Sequence, residues 1–158
     1  MAEEISPDTA VSEFAGQLFF RLWRASHTRI ATALESVGLT PALFGLLNLL
    51  GSLDGANQQE LGRAMGVDPS TMVALIDELE AKGLAKRQPH PKDRRARAVV
   101  LTAKGRRLRE RGRQMASQVE DEVLGGLSAS DRRELLRLLR LAHSSAPAQP
   151  LWRAEEGD

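Results

Sequence analysis

The chain has 158 residues, of which 42% are hydrophobic and 27% are charged, and its formal net charge is +1. This length and composition predict one globular domain and leave no length for a second, enzymatic domain. It contains no cysteine, which excludes a disulfide framework, a thiolate metal site and thiol-based oxidation sensing. No apolar run reaches the ~18 residues of a membrane-spanning helix, so we expect a soluble, cytoplasmic protein.

The first predicted helix is unusually long. Ser6-Pro7 is a plausible start and Gly38 a plausible stop, and apolar residues recur between them. A helix of about thirty residues would extend ~45 Å, more than a domain of this size can cover by itself. The sequence therefore predicts that part of this helix packs against a partner.

Two shorter helices follow. Thr40-Pro41 predicts the start of a helix that is apolar on most sides and should lie in the centre of the core. Asn57, with Glu60 three residues later, can form a capping box for a third helix that ends near Gly66.

The fourth predicted helix has the properties of a DNA-reading element. Asp68 and Pro69 favour a helix start, and Lys82-Gly83 favours a stop. One face is apolar at helical spacing, through Met72, Leu75, Ile76 and Leu79. The opposite face is small and polar and consists of Ser70, Thr71, Val73, Ala74 and Asp77. A helix of this kind, joined to a preceding helix by a short turn, can enter a major groove.

A basic hairpin is predicted next. Leu84–Arg87 and Ala96–Leu101 are short strand candidates, and the intervening QPHPKDRR contains two prolines that oppose a helix. From Lys82 to Arg113 there are thirteen Lys and Arg against two acidic residues, a charge of +11, so the rest of the chain carries −10. A basic segment in a nearly neutral chain is typical of a nucleic-acid interface. For the cations that crowd the first turns of the next helix, from Lys104 to Arg113, a solvated basic face without a specific partner is the alternative.

Two further helices complete the chain. Thr102 can cap a long helix, and Ser128, with Asp131 three residues later, can open another that has leucines on more than one face. Together with the overlong first helix, this predicts a homodimer. Residues 145–158, which include Trp152, show no periodicity and are expected to form a mobile tail.

Several of these segments resemble one protein family. The runs LTPALFGLLNLL, LIDELEAKGLAKR and DRRARAVVLTAKG are similar to the supporting helix, the end of the recognition helix and the wing of the MarR family of bacterial regulators. The resemblance covers about residues 10 to 145 in order. It implies a mainly α, winged helix-turn-helix fold with a short β-hairpin wing. Residues 6–38 and 103–144 would be the dimerisation helices, and residues 40–102 the DNA-binding lobe.

The predicted DNA contacts lie on the fourth helix and the hairpin. Arg94 and Arg95, at the tip of the loop, could reach into a minor groove, or Arg95 could pair with Asp93 and stiffen the hairpin. Because the helix face lacks cations, we expect hydroxyl contacts to phosphates and apolar contacts to thymine methyl groups. The candidate residues are Pro69, Ser70, Thr71, Val73, Ala74, Arg87, His90, Lys92, Arg94, Arg95 and Arg97.

Candidates for an effector site follow from the resemblance alone. MarR-like proteins often bind small aromatic or anionic compounds between the dimerisation helices and the DNA-binding lobe, which points to Trp23, Arg24, His27 and Phe44. The alternative is that Trp23 and Phe44 are core residues. The three histidines share no metal-ligand spacing and no catalytic motif occurs, so we expect no enzyme, metal or cofactor.

These features predict a homodimeric repressor of a pseudo-palindromic operator that a small ligand releases. The alternative is a winged-helix module for constitutive DNA binding or protein contact, without an effector.

Overall fold

The computed structural model describes residues 14–53, 55–90 and 97–145. A two-stranded antiparallel hairpin stands between the fourth and fifth helices, which confirms the mainly α, winged helix-turn-helix fold. No helix in the described ranges is long and apolar enough to cross a membrane. The elements are α1 (Ala15–Glu35), α2 (Pro41–Ser52), α3 (Gln58–Met65), α4 (Pro69–Ala81), β1 (Ala85–Pro89), β2 (Arg97–Leu101), α5 (Ala103–Val123) and α6 (Ala129–Ser145).

The predicted helix starts are confirmed by their capping hydrogen bonds. The Thr40 hydroxyl accepts the Leu43 N–H at 3.2 Å. Asn57 and Glu60 form the reciprocal capping box, with N···O distances of 3.0 and 2.8 Å. The Thr102 hydroxyl accepts from a backbone N–H in the first turn of α5. Such caps satisfy amide groups that would otherwise lack a partner at the helix start.

The first helix is shorter than predicted. α1 has 21 residues, about 32 Å at the standard rise, and begins after Phe14, whose backbone is extended. The predicted start at Ser6-Pro7 lies outside the described residues. The stop at Gly38 is confirmed, because Gly38 has a φ of +72° and the Leu39 N–H donates to the Leu34 carbonyl at 3.1 Å. This is the hydrogen bond of a Schellman turn, which favours glycine at the left-handed position.

The hydrophobic core lies within the DNA-binding lobe. α2 contributes four buried leucines to it, as its apolar sequence predicted. The buried stripe of α4 packs on the same core, as do Leu61 of α3 and Leu84, which precedes β1. The largest fully buried side chains are Leu34, Leu43, Leu46, Leu47, Leu61, Met72, Ile76, Leu79, Leu84 and Val99. Truncating one such side chain typically costs about 2–5 kcal/mol, so this core holds α4 in a fixed orientation.

The hairpin pairs Ala85 with Leu101 and Pro89 with Arg97, close to the predicted strands. The middle of β2 is attached to the rest of the lobe, because the Val99 N–H donates to the Ala56 carbonyl at 3.0 Å. Residues 91–96, which connect β1 to β2, lie outside the described residues. The DNA contacts predicted for Lys92, Arg94 and Arg95 therefore fall in a segment whose structure is not described.

Candidate nucleic-acid interface

The recognition helix α4 presents the face that the sequence predicted. Met72, Ile76 and Leu79 are buried against the core. This places the opposite face outward, and the exposed residues on it are Pro69, Ser70, Val73, Ala74 and Asp77, with Thr71 half-buried. The helix therefore offers a surface of small side chains and two exposed carboxylates, those of Asp77 and Glu78, which is compatible with close approach to a groove floor.

The start of α4 is organised by Asp68. Its carboxylate accepts the backbone N–H groups of Ser70 and Thr71 at 2.9 and 3.0 Å, and both hydroxyls also donate to it. The hydrogen bonds from the Ser70 hydroxyl, from the Thr71 hydroxyl and from the backbone hold the pKa of Asp68 far below its ordinary value. The predicted hydroxyl contacts to phosphates therefore compete with this cap, because each hydroxyl has a single proton to donate.

Arg87 has partners within the protein that the sequence did not predict. Its guanidinium donates to Asp77 Oδ1 at 2.6 Å, to Glu80 Oε2 and, at 3.4 Å, to Gln58 Oε1. Its backbone N–H donates to Glu80 Oε1 at 2.6 Å. Desolvation lowers the pKa of Arg87, but the hydrogen bonds to Asp77 and Glu80 outweigh it and raise that pKa above its ordinary value. The predicted contact of Arg87 with DNA thus competes with two carboxylates.

Some other cations of the basic segment bind backbone carbonyl groups of the lobe. Lys104 Nζ donates to the Lys82 carbonyl at 2.8 Å, at the C-terminal end of α4, and Arg106 Nη1 donates to the Leu101 carbonyl at 2.9 Å. Arg97 is exposed at the start of β2, and His90 is half-buried at the end of the first hairpin arm. Part of the charge that the sequence attributed to DNA binding therefore stabilises the ends of elements in the lobe.

A surface that the sequence reasoning missed lies beside the start of α4. Gln58, Gln59 and Arg63 of α3 border a depression of about 620 Å³ that also touches Pro69. Gln59 and Arg63 are exposed. Amide and guanidinium groups next to a recognition helix are suited to phosphate contacts. The alternation of polar and buried residues along α3 was the signal that could have found them.

The four predicted ligand residues do not form one site in the single chain. Trp23 is 56% exposed and stacks on His27, with ring centroids 4.9 Å apart. It borders an apolar groove of about 470 Å³ between α1, α5 and α6. Phe44 borders a different, more polar cleft between α2 and α5, and Arg24 is exposed on α1. The alternative that Trp23 is a core residue does not hold in this chain, whereas Phe44 packs against the core.

The cleft at Phe44 is lined by cations, polar groups and one carboxylate, that of Glu120. Arg109 and Arg113 of α5 face Asn48 and Ser52 of α2 across about 470 Å³. Arg109 lies so close to Gly51 that a Cβ there would overlap its guanidinium. Its Nε is buried and has no hydrogen-bond partner among the described residues. In the same part of the chain, no group of three or more His, Cys, Asp or Glu residues could hold a metal ion.

Comparisons with known proteins agree with this architecture. The HTH-type transcriptional repressor Rv2887 of Mycobacterium tuberculosis is 31% identical over 124 residues, covering 78% of this chain and 89% of the relative. The structure of Rv2887 in complex with DNA covers 82% of this chain and 97% of its own, at a TM-score of 0.73 and 29% identity.

Two solved structures of the repressor CouR are also similar. The one bound to a 23-mer DNA duplex has a TM-score of 0.72 and 33% identity, covering 84% of this chain and 94% of its own. The one from Rhodococcus jostii RHA1 bound to p-coumaroyl-CoA has a TM-score of 0.73 and 28% identity, covering 88% and 98%. Residues 37–96 match the model of the MarR family. This chain therefore belongs to the MarR family of DNA-binding transcription regulators, which are not enzymes.

Proposed function

We propose that the protein is a homodimeric repressor that binds a pseudo-palindromic operator and leaves it when a small aromatic or anionic ligand binds. The observation that carries the homodimer is the exposed apolar surface on α1 and α6. No residue of α6 is buried in the single chain. The exposed large apolar side chains of these two helices, together with Phe14 at the N-cap of α1, are Phe14, Leu18, Phe19, Phe20, Leu22, Trp23, Leu138, Leu139 and Leu141.

An apolar surface of this extent is unusual for a soluble monomer and is typical of an interface. A second copy supplies a matching surface, since a two-fold interface uses the same patch on both partners. In such a dimer the two α4 helices would contact half-sites about one helical turn, ~34 Å, apart. The DNA complexes of Rv2887 and CouR support DNA as the partner.

We assign the effector to the cleft between α2 and α5. The cleft offers the two guanidinium groups of Arg109 and Arg113, and the Phe44 ring lies at its edge. An anionic aromatic compound matches this combination, because guanidinium groups bind carboxylates or phosphates and the ring provides an apolar contact. The structure of CouR with p-coumaroyl-CoA, an aromatic and anionic compound, supports this ligand class.

The position of the cleft explains how a ligand could release DNA. α2 belongs to the DNA-binding lobe and α5 extends away from it, so a compound held by both helices would favour one relative orientation of the two. Release requires that the ligand bind better to a dimer whose α4 helices do not match the half-sites. The difference in ligand affinity between the two forms of the dimer limits how far the ligand can shift the equilibrium between them.

Three measurements test this function. Light scattering should give a dimer at micromolar concentration, and footprinting should show two related half-sites. In a thermal-shift series with benzoate, p-coumarate and p-coumaroyl-CoA, a ligand at ~100 times its Kd should stabilise the protein by ~2.7 kcal/mol. Arg109→Gln with Arg113→Gln should abolish that shift, while Arg111→Gln, an exposed position of α5 outside the cleft, should retain it.

Dimerisation, effector response and the ligand site can each be contradicted separately. A monomer that binds a single half-site would contradict the homodimer. A dimer that binds DNA without any response to these compounds would favour the constitutive DNA-binding module. A thermal shift that persists in the double arginine variant would move the ligand to another site.

A further inference from the structure

We propose that Asp77, held by Arg87, is a specificity-determining residue of α4 that accepts a hydrogen bond from the exocyclic amine of a cytosine or an adenine. This rests on the proposed binding of α4 in a major groove. The sequence predicted that Arg87 itself contacts DNA and predicted no contact for Asp77.

Asp77 lies on the outward face of the recognition helix. It follows Val73 by four residues and Ala74 by three, which places all three side chains on one face. Its side chain is 58% exposed, whereas that of Glu80, which also binds Arg87, is 32% exposed. Of the two carboxylates, Asp77 is therefore the one that a groove floor can reach.

Arg87 is the positioning residue of this pair. It is 26% exposed, and contacts with Gln58 on α3 and Glu80 on α4 fix its guanidinium against the lobe. A third contact, 2.6 Å long, then holds the Asp77 carboxylate. A side chain fixed in this way loses little conformational entropy when it binds, and its charge is compensated beside the phosphates.

The carboxylate oxygen that Arg87 leaves unoccupied determines what Asp77 can recognise. Arg87 occupies Oδ1, and no donor among the described residues hydrogen-bonds Oδ2. A carboxylate accepts hydrogen bonds and donates none, so phosphate oxygens and the O6 and N7 acceptors of guanine are unfavourable partners. In the major groove, the donors that remain are the N4 amine of cytosine and the N6 amine of adenine.

The test is a selection of randomised duplex DNA by the full-length wild-type protein and by Asp77→Ala, with Glu78→Gln as the matched control. The wild type should enrich a motif in which one position in each half-site is cytosine or adenine. Asp77→Ala should lose the preference at that position by about 5- to 150-fold and keep it elsewhere. Glu78→Gln removes another exposed carboxylate of α4, one that pairs with Lys82 rather than with Arg87, and should keep the preference at that position.

Arg87→Gln distinguishes positioning from phosphate contact. If Arg87 positions Asp77, this variant should weaken the preference at the same base, and affinity for scrambled DNA should change little. Equal weakening on operator and scrambled DNA, with the base preference intact, would show that Arg87 contacts phosphate and would overturn the proposal. An unchanged motif with Asp77→Ala would also overturn it. A wild-type protein that enriches no motif would instead refute the operator-binding function itself.

Discussion

At the scale of single residues, Asp68 controls the start of the recognition helix. Its folded-state pKa is depressed by hydrogen bonds from Ser70 and Thr71, so its stabilising effect is present above the ordinary pKa of an aspartate and is lost as the pH falls toward the folded-state value. Replacing Asp68 by Ala should lower the urea midpoint at neutral pH, and the difference from the wild type should shrink as the pH is lowered below about 4. Glu78→Ala removes an ion pair with Lys82 on the same helix; it is the control and should have a smaller effect at neutral pH. A difference that stays constant down to strong acid would contradict the capping role.

Gly105 marks a close approach between α5 and Leu84, the residue before β1. A Cβ at this position would overlap the Leu84 carbonyl oxygen, which also accepts the Thr102 N–H. Alanine normally stabilises a helix relative to glycine, but here overlap with backbone should dominate and cost about 3 kcal/mol of unfolding free energy. Gly126→Ala, where no described atom lies within 4 Å of the added Cβ, should stay within ~0.5 kcal/mol of the wild type. Chemical denaturation of both variants measures the difference, and equal stability would show that α5 can move away from the hairpin.

At the scale of elements, substitutions in the wing and in the recognition helix should change DNA binding in different ways. Arg94 and Arg95 belong to the segment between β1 and β2 that lies outside the described residues, and we expect them to act through phosphates in a minor groove. Changing both to Ala should weaken binding to all sequences and flatten the salt dependence by ~0.9 for each lost phosphate contact. Titrations on operator and scrambled DNA at several salt concentrations measure this slope. An unchanged slope would mean that the wing contacts no phosphate.

Val73 provides the comparison on α4. It is exposed on the outward face, so a polar substitution should change which operator bases are tolerated and cost ~1–3 kcal/mol at one position. The salt slope should not change, because no cation is lost. If the substitution weakened operator and scrambled DNA equally, the assignment of base reading to this face would be wrong.

At the scale of the whole molecule, the exposed apolar faces of α1 and α6 should form the contact between two copies. Phe20 is 58% exposed in the single chain, so a glutamate there costs little unless a partner covers it. In a dimer the charge would be buried, and we expect Phe20→Glu to give a monomer by light scattering with its helical content retained. Leu53→Glu, at a position that is 41% exposed and outside these helices, should leave the dimer intact. A dimeric Phe20→Glu variant would place the interface elsewhere.

The sequence by itself determined the elements and their order. Thr40, Asp68 and Thr102 each cap a helix within three residues of themselves, and Gly38 and Gly83 end helices at left-handed positions. These interactions join neighbours along the chain, so the local pattern contains both partners. The same locality explains why the outward face of α4 was predicted correctly, since helical spacing alone separates it from the buried stripe.

Only the tertiary structure decided the partners that lie far apart in the sequence. Arg87 was predicted to contact DNA, but the packing of β1 on α4 brings it to Asp77, ten residues away. Trp23 and Phe44 were predicted to share a crevice, yet they border different cavities. In each case a charge or a ring has several possible partners of the same chemistry. The packing of helices and strands determines which of these partners lies nearby. Composition and periodicity do not specify that packing.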